Sequence, residues 1–277
     1  MKKLFAAVKW AITLGPGHQN FLGANWIQKV LDRTPADKKR QRALQILSLS
    51  PHYFFCRNEP GLAEMPFNEY LNAAFEANRR SRQRIVDEIL RGRISSDDVV
   101  LDFGCGPGFL ARAIAPEVKR VYGYDISPGA IACARILNPA DGLEYIDPAD
   151  FSTAIPDEGV DFIVSLAVVQ HLTDDLYAKL LDDCWSKLKP GGRIALHVQL
   201  TGGGWRTEQE WRDDRSIQGR LRLKYGLHCF ARPEEKHREI VSSCGFTGIN
   251  VENIADLVSD PFDDICRQHL LSAEKPL

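Results

Sequence analysis

The stretch Val99 to Ala115, VVLDFGCGPGFLARAIA, decides how the chain is read. Val99, Val100 and Leu101 form a β-branched and aliphatic run that closes on Asp102. Gly104, Gly106 and Gly108 then alternate, and Leu110, Ala111, Ile114 and Ala115 follow at helical spacing. The pattern predicts strand, tight loop, helix. Glycines reach positive φ and, lacking Cβ, let a ligand approach the backbone at the electropositive start of the helix. A nucleotide-like guest suits such a loop, although the same pattern alone also describes a plain strand-to-helix turn.

Working outward, the downstream chain alternates strand and helix, which predicts a parallel sheet with helices on its faces. Expected strands are Arg120 to Tyr124, Leu143 to Ile146, Val160 to Leu166 and Arg193 to Leu200. Expected helices are Ser127 to Leu137 and Leu176 to Leu188, the second ended by Lys189-Pro190-Gly191-Gly192. An irregular insertion, Thr201 to Ala231, carries Trp205, Trp211, Tyr225 and a Gly202-Gly203-Gly204 hinge. Pro233 opens a helix that Gly245 caps, and Phe246 to Ile254 and Asp264 to Glu274 are expected as two last strands.

Upstream, residues 1 to 98 read as a helical cap. Thr34-Pro35 starts one helix and Phe67 to Leu90 forms a longer one, with Leu71, Phe75, Ile85, Ile89 and Leu90 as its buried positions. His52 to Phe55 is an aromatic run, either a plug onto the main domain or a wall of a pocket. In residues 1 to 14, Leu4, Phe5, Val8 and Ile12 share a helical face opposite Lys2 and Lys9. Docking on the body of the protein is the expectation; contact with a membrane surface is the alternative. Lys9 interrupts the apolar run and no small-residue cleavage site follows, so a signal peptide is not expected.

Composition bounds the rest. The 277 residues allow a full α/β core, with 44% hydrophobic and 26% charged residues. Seven scattered cysteines, without a CxxC pair or a Cys/His cluster at zinc spacing, predict reduced thiols, no metal site and a cytoplasmic location. Residues 1 to 98 hold 16 Lys and Arg against 10 Asp and Glu, so a net −2 hides a basic front and an acidic remainder. No basic stripe with an RNA-binding signature appears, so nucleic acid is not expected as a partner.

Asp125, ending Tyr122-Gly-Tyr-Asp, lies about twenty positions beyond the glycine loop, where a carboxylate at a strand end meets ribose hydroxyls. This implies a ribose-containing ligand without distinguishing a dinucleotide from another adenosine compound. The simpler reading makes Asp125 a partner of Ser127 at a helix start and Asp102 the cap of a turn.

LDFGCGPGFLARAIA, YGYDIS, DPADF, VDFIVSLAVVQHL and LKPGGRIALHV, in this order, resemble the successive motifs of class I S-adenosylmethionine-dependent methyltransferases. The resemblance covers Val99 to Leu200, and the closing strand-helix-strand elements more loosely. It implies a Rossmann-like α/β fold: a seven-stranded, mostly parallel sheet with helices on both faces, over residues 99 to 277. The cap would precede it, and residues 201 to 231 would form a lid. S-adenosyl-L-methionine would be the cofactor. Asp102, Gly104, Gly106 and Gly108 would shape the methionine side of its pocket, and Asp125 would bind the ribose hydroxyls. Ile126 would pack on the adenine, Asp147 or Asp150 would meet the adenine amino group, and Leu166 and Ala167 would border the methionine portion through backbone groups.

For the acceptor, the resemblance argues by what is missing. The place after the fourth strand holds Ser165-Leu-Ala-Val-Val, lacking both the Asn/Asp-Pro-Pro run of base amino-methyltransferases and the Pro-Cys nucleophile of cytosine C5 enzymes. A small-molecule acceptor, methylated on oxygen or nitrogen, is therefore expected. A non-catalytic cofactor-binding protein and a methyltransferase of membrane-associated lipid are the alternatives. His171 is the candidate general base for a hydroxyl acceptor, with a structural hydrogen-bonding role as its other reading. Gln170 is a weaker pocket candidate, and His197 is expected in core or rim. Arg79, Arg80 and Tyr70 of the cap are candidates for an anionic group.

Overall fold

The computed structural model describes residues 24–48, 65–202, 204–224 and 226–277. The helix expected over residues 1 to 14, the aromatic run His52 to Phe55, Gly203 and Tyr225 lie outside the described residues.

The strands are β1 (Val99–Phe103), β2 (Arg120–Tyr124), β3 (Leu143–Ile146), β4 (Val160–Ser165), β5 (Leu188–Val198), β6 (Thr247–Asn253) and β7 (His269–Glu274). They form one seven-stranded sheet in the order β3-β2-β1-β4-β5-β7-β6. The first five strands run parallel, and β7 and β6 close the edge antiparallel. Strand order reverses between β1 and β4. Open α/β sheets bind ligands in the crevice at the carboxyl ends of the strands flanking such a reversal, so the glycine loop after β1 faces the loop after β4 across it.

The described helices are α1 (Ala24–Arg33), α2 (Ala36–Leu47), α3 (Phe67–Ile85), α4 (Phe109–Ile114), α5 (Pro128–Leu137), α6 (Phe151–Ala154), α7 (Asp174–Lys187), α8 (Glu208–Asp213), α9 (Ile217–Lys224) and α10 (Glu234–Ser243). Because side chains of a strand alternate between faces, β4 sends Phe162 and Val164 to one side and Ile163 to the other. The first side packs against α4, α5 and Ile85, Val86, Ile89 and Leu90 at the end of the cap. The second packs against Tyr177, Leu180 and Leu181 of α7 and Ile240 and Val241 of α10.

The cap contributes a third core. Ile27, Leu31, Leu44, Leu47, Leu71 and Phe75 are buried together with Phe109 of α4 and Cys133 and Leu137 of α5. The Phe75 and Phe109 rings lie 5.1 Å apart. All five buried positions expected from Phe67 to Leu90 are buried, and the helix ends in a π-helical turn over Val86–Leu90. The cap's basic run is largely consumed internally. Arg82 pairs with Asp263 at 3.0 Å, Arg84 with Glu88 and Asp260, and Arg93 with Glu252.

Several boundaries differ from the sequence reading. β5 begins at Leu188, so Lys189 to Gly192 forms a kinked start of the strand, with a register shift between Val160 and Phe162, rather than a separate turn. The last strand begins only at His269, because Asp264–Arg267 forms a 3-10 turn. The insertion is not irregular: α8 carries a capping box in which Thr207 and Glu210 satisfy each other's backbone amides, and α9 follows it.

If cap and sheet domain unfold as one unit, Phe75→Ala, which removes a fully buried ring at their junction, lowers a single melting transition at a cost of about 3–5 kcal/mol. Calorimetry checks this; a variant whose sheet domain melts at the wild-type temperature in a separate transition would contradict it.

Candidate active site

The glycine loop is built as its sequence requires. Gly104, Gly106 and Gly108 have φ of 86°, 52° and 80°, the left-handed region that side chains with a Cβ disfavour. Space excludes side chains as well. A Cβ on Gly104 would stand 2.3 Å from Val168 in the loop after β4, and one on Gly108 2.0 Å from the Tyr145 hydroxyl of β3. The two loops of the crevice are therefore in direct contact, and Tyr145, whose hydroxyl donates to the Asn138 carbonyl at 2.7 Å, closes the loop from below.

Backbone bonds tie this loop to the end of β2. The amides of Gly104 and Cys105 both donate to the Tyr124 carbonyl, at 2.7 and 2.8 Å. The carboxylate of Asp125 accepts the Gly106 amide at 2.9 Å through one oxygen and the Ser127 amide at 2.8 Å through the other. Ser127 caps α5, so the simpler reading of Asp125 as its partner is realised together with the contact to the glycine loop. Ile126 projects beside them with 45% of its surface exposed, unusual for isoleucine and suited to a flat apolar guest.

Asp102 lies buried under the loop. Its carboxyl is pushed up to about 7 because burial penalises the charge and the Asp125 charge adds to the penalty, while the Ala111 amide opposes both. Ala111 is in the first turn of α4, so the amide that would serve a phosphate at that helix start already faces Asp102. Oδ2 of Asp102 has no hydrogen-bond partner. A buried carboxylate oxygen lacking a donor, with a second carboxylate nearby, fits a cationic group such as an α-ammonium and disfavours a pyrophosphate. Burial, with Asp102 and Asp125 nearby, raises the Cys105 thiol well above its ordinary range, so Cys105 is inert as a nucleophile.

At the end of β3, Arg135 of α5 grips Asp147 through two nitrogens, at 2.8 and 3.2 Å. Asp150 is exposed, and its amide donates to the Asp147 carbonyl at 2.9 Å. Of the two carboxylates, Asp150 is thus turned to solvent and Asp147 is held by the protein.

Across the crevice, Leu166 is partly buried against the first core face. Ala167 has a φ of 59°, a left-handed conformation that costs an L-residue roughly 1–2 kcal/mol. The loop continues to His171, whose Nδ1 lies 2.6 Å from the His228 carbonyl. A ring nitrogen that donates to a carbonyl carries the proton, which leaves the lone pair on Nε2. The contact is reciprocal, because His228 Nε2 donates to the His171 carbonyl at 3.1 Å. Next to it Phe230 N–H donates to the Gln170 carbonyl at 2.6 Å, and the Arg232 guanidinium reaches Asp174 at 2.7 Å and the Leu172 carbonyl. Residues 228–231 at the end of the insertion, with Arg232 just beyond it, are stitched to the loop after β4.

His228, Arg232 and Tyr145 carry no motif signal, and Val168, though inside VDFIVSLAVVQHL, is not singled out by it, since their roles arise from elements that meet only in the fold. The cap candidates change as well. Arg79 lies over the Phe75 ring and pairs with Glu76, and Arg80 is exposed. It is Arg82 whose charge bears on Asp102 and His197.

Residues 101–196 match the family model described as a methyltransferase domain. A protein of Mycolicibacterium smegmatis named as a probable S-adenosylmethionine-dependent methyltransferase is 33% identical over 111 residues, 40% of this chain and 41% of that protein. Trans-aconitate 2-methyltransferase of Streptomyces coelicolor is 34% identical over 129 residues, 44% and 42% of the two chains. The chain thus spans about two fifths of the length of these curated relatives. The solved structure of phosphoethanolamine N-methyltransferase 2 from Haemonchus contortus, in complex with S-adenosylhomocysteine, shares the fold. Its TM-score is 0.53 at 19% identity, over 74% of this chain and 58% of that one.

The Asp102 environment has a measurable consequence. Its folded-state value lies above the ordinary value of 3.8. The carboxyl therefore leaves stability untouched below about pH 4 and reduces it as pH rises toward 7, because only the unfolded chain releases the proton freely. Asp102→Asn is expected to melt at or above the wild-type temperature at pH 8 and to lose that advantage by pH 4. Melting curves across this range check it; a variant less stable than wild type at pH 8 would contradict the assignment.

Proposed function

We propose that this chain, whose central domain is that of a class I S-adenosylmethionine-dependent methyltransferase, transfers a methyl group from that cofactor to an oxygen or nitrogen of a small molecule. The observation that carries the reading is the glycine loop held between two carboxylates, Asp125 at its edge and Asp102 beneath it. This is a cradle for a cationic, ribose-bearing ligand. Asp102, Gly104, Gly106 and Gly108 would hold the methionine end, Asp125 the ribose and Ile126 the adenine. Asp150, turned to solvent, suits the adenine amino group better than Asp147. Leu166 and Ala167 would border the methionine from the facing loop.

When bound, the cofactor supplies a methyl group on a positively charged sulfur, a leaving group that needs no further activation. The protein's task is then to hold the acceptor in line and exclude water. Residues 228–232, fixed across the loop after β4, supply a wall for that purpose. His171, with its Nδ1 proton directed at the His228 carbonyl, has the tautomer in which Nε2 takes the proton of a hydroxyl acceptor.

The insertion supports a small acceptor. Trp205, Arg206, Trp211, Arg222, Leu227 and Cys229 line a shallow, open cleft in it. Trp211 donates to the Cys229 carbonyl at 2.8 Å, one residue from His228. The Streptomyces coelicolor relative is also named for a small organic acid.

Asp125→Ala is expected to abolish S-adenosylhomocysteine binding in calorimetry while the protein still melts cooperatively; near-normal affinity would remove Asp125 from the site. Labelled S-adenosylmethionine incubated with the protein and a metabolite extract should place label in small molecules. Binding without transfer would leave a cofactor-binding protein in place of an enzyme. Once a hydroxyl acceptor is identified, His171→Ala should lower kcat by about 10²-fold or more with little change in S-adenosylhomocysteine affinity. An unchanged kcat on that acceptor would exclude His171 as the base.

A further inference from the structure

His197 lies in β5, 1% exposed and behind the loop that follows β4. Its Nδ1 is 3.3 Å from the amide of Ala167 and 3.1 Å from the side-chain oxygen of Gln170, while its buried Nε2 has no hydrogen-bond partner. Ala167 is one of two described residues other than glycine with positive φ. Such a conformation persists only where its surroundings over-determine it. Gln170 is itself buried, and its carbonyl accepts the Phe230 amide of the insertion.

We propose that His197 is a positioning residue for the cofactor site: as a neutral imidazole it accepts the Ala167 amide at Nδ1 and holds Ala167 in its left-handed turn. The turn sets the path of Leu166 to His171 against the glycine loop. The half-buried amide of Ala167 has no acceptor in a helix or strand ladder, and His197 Nδ1 supplies one. Gln170 lies against the same nitrogen through its side-chain oxygen; turned by half a rotation, the amide presents NH2 on that side instead and no longer sets an acceptor against the Nδ1 lone pair. A protonated ring would set an N–H against the Ala167 N–H and release the turn. Burial keeps the ring neutral by holding its pKa down at about 3; the charges of Arg82, His171 and His269 act in the same direction and that of Asp263 against it.

The device links two walls of the crevice. Below, β5 fixes the imidazole. Above, Val168, one residue beyond Ala167, fills the space that the missing Cβ of Gly104 leaves open. Loss of the His197 contact would therefore be felt at the methionine end of the pocket, without His197 touching the cofactor. The inference rests on the reading of this crevice as an S-adenosylmethionine site.

The test compares His197→Asn, whose side-chain oxygen can replace Nδ1 as acceptor, with His197→Leu, which is similar in size and cannot accept. S-adenosylhomocysteine titrated into the wild-type protein should bind. His197→Asn should stay within about threefold of that affinity, and His197→Leu should lose about tenfold or more, the scale of one buried hydrogen bond. Amide exchange at Ala167 should accelerate in His197→Leu alone. Wild-type affinity in His197→Leu, or equal losses in both folded variants, would overturn the proposal. Failure of the wild-type protein to bind would instead defeat the cofactor reading. A measurement on the unaltered protein guards against variants that do not fold: the ¹⁵N spectrum of the histidines should show His197 neutral with its proton on Nε2. A proton on Nδ1 would also overturn it.

Discussion

The carboxyl edge of the sheet depends on two backbone amides, those of Gly106 and Ser127, converging on the carboxylate of Asp125. One belongs to the loop after β1 and the other to the start of α5. Their common acceptor turns two separate strand-to-helix connections into one rigid rim. Three glycines in left-handed conformations let the first loop bend far enough to reach it, and Tyr145 and Val168 occupy the space that side chains there would need. The reversal of strand order between β1 and β4 places this rim opposite the loop that carries Ala167 and His171.

Electrostatics then selects among nucleotide ligands. A glycine loop at a helix start ordinarily serves phosphate, through free amides and the helix dipole. Here an amide of that first turn faces Asp102, and a second carboxylate stands at the loop's edge. Two carboxyl groups bordering the loop, one of them with an unpartnered oxygen, would suit a sulfonium and an ammonium better than a pyrophosphate.

Much of this was legible before any coordinates. The glycine loop, the acidic end of β2 and the strand-helix rhythm are local patterns, and most elements from Val99 to Val198 fall close to where periodicity puts them, apart from the bounds of β5 and the short α6, for which no helix is expected. Lys189 to Gly192 looks like a turn because proline and glycine dominate it; pairing of Leu188, expected at a helix end, with Val160 draws the segment into the strand. The insertion looked irregular because α8 and α9 are short and polar, and their stability comes from a capping box and from Leu221 and Leu227 packing on the cap. The partners of the site residues were illegible for a different reason. Arg135 on Asp147, His228 on His171 and His197 on Ala167 are contacts across elements, and no spacing within one element encodes them.

The proposed acceptor side therefore depends on tertiary contacts, in which residues 228–232 are bonded to the loop after β4 and the helical insertion leans on the cap. The cofactor side is encoded locally and is the firmer ground for the account. Its central claim is tested most directly by a crystal structure of the protein with S-adenosylhomocysteine. The account predicts both ribose hydroxyls on the Asp125 carboxylate, the adenine against Ile126 and the ammonium on the Asp102 side of the glycine loop. A ligand bound away from this rim, or one with its ribose directed elsewhere, would contradict it.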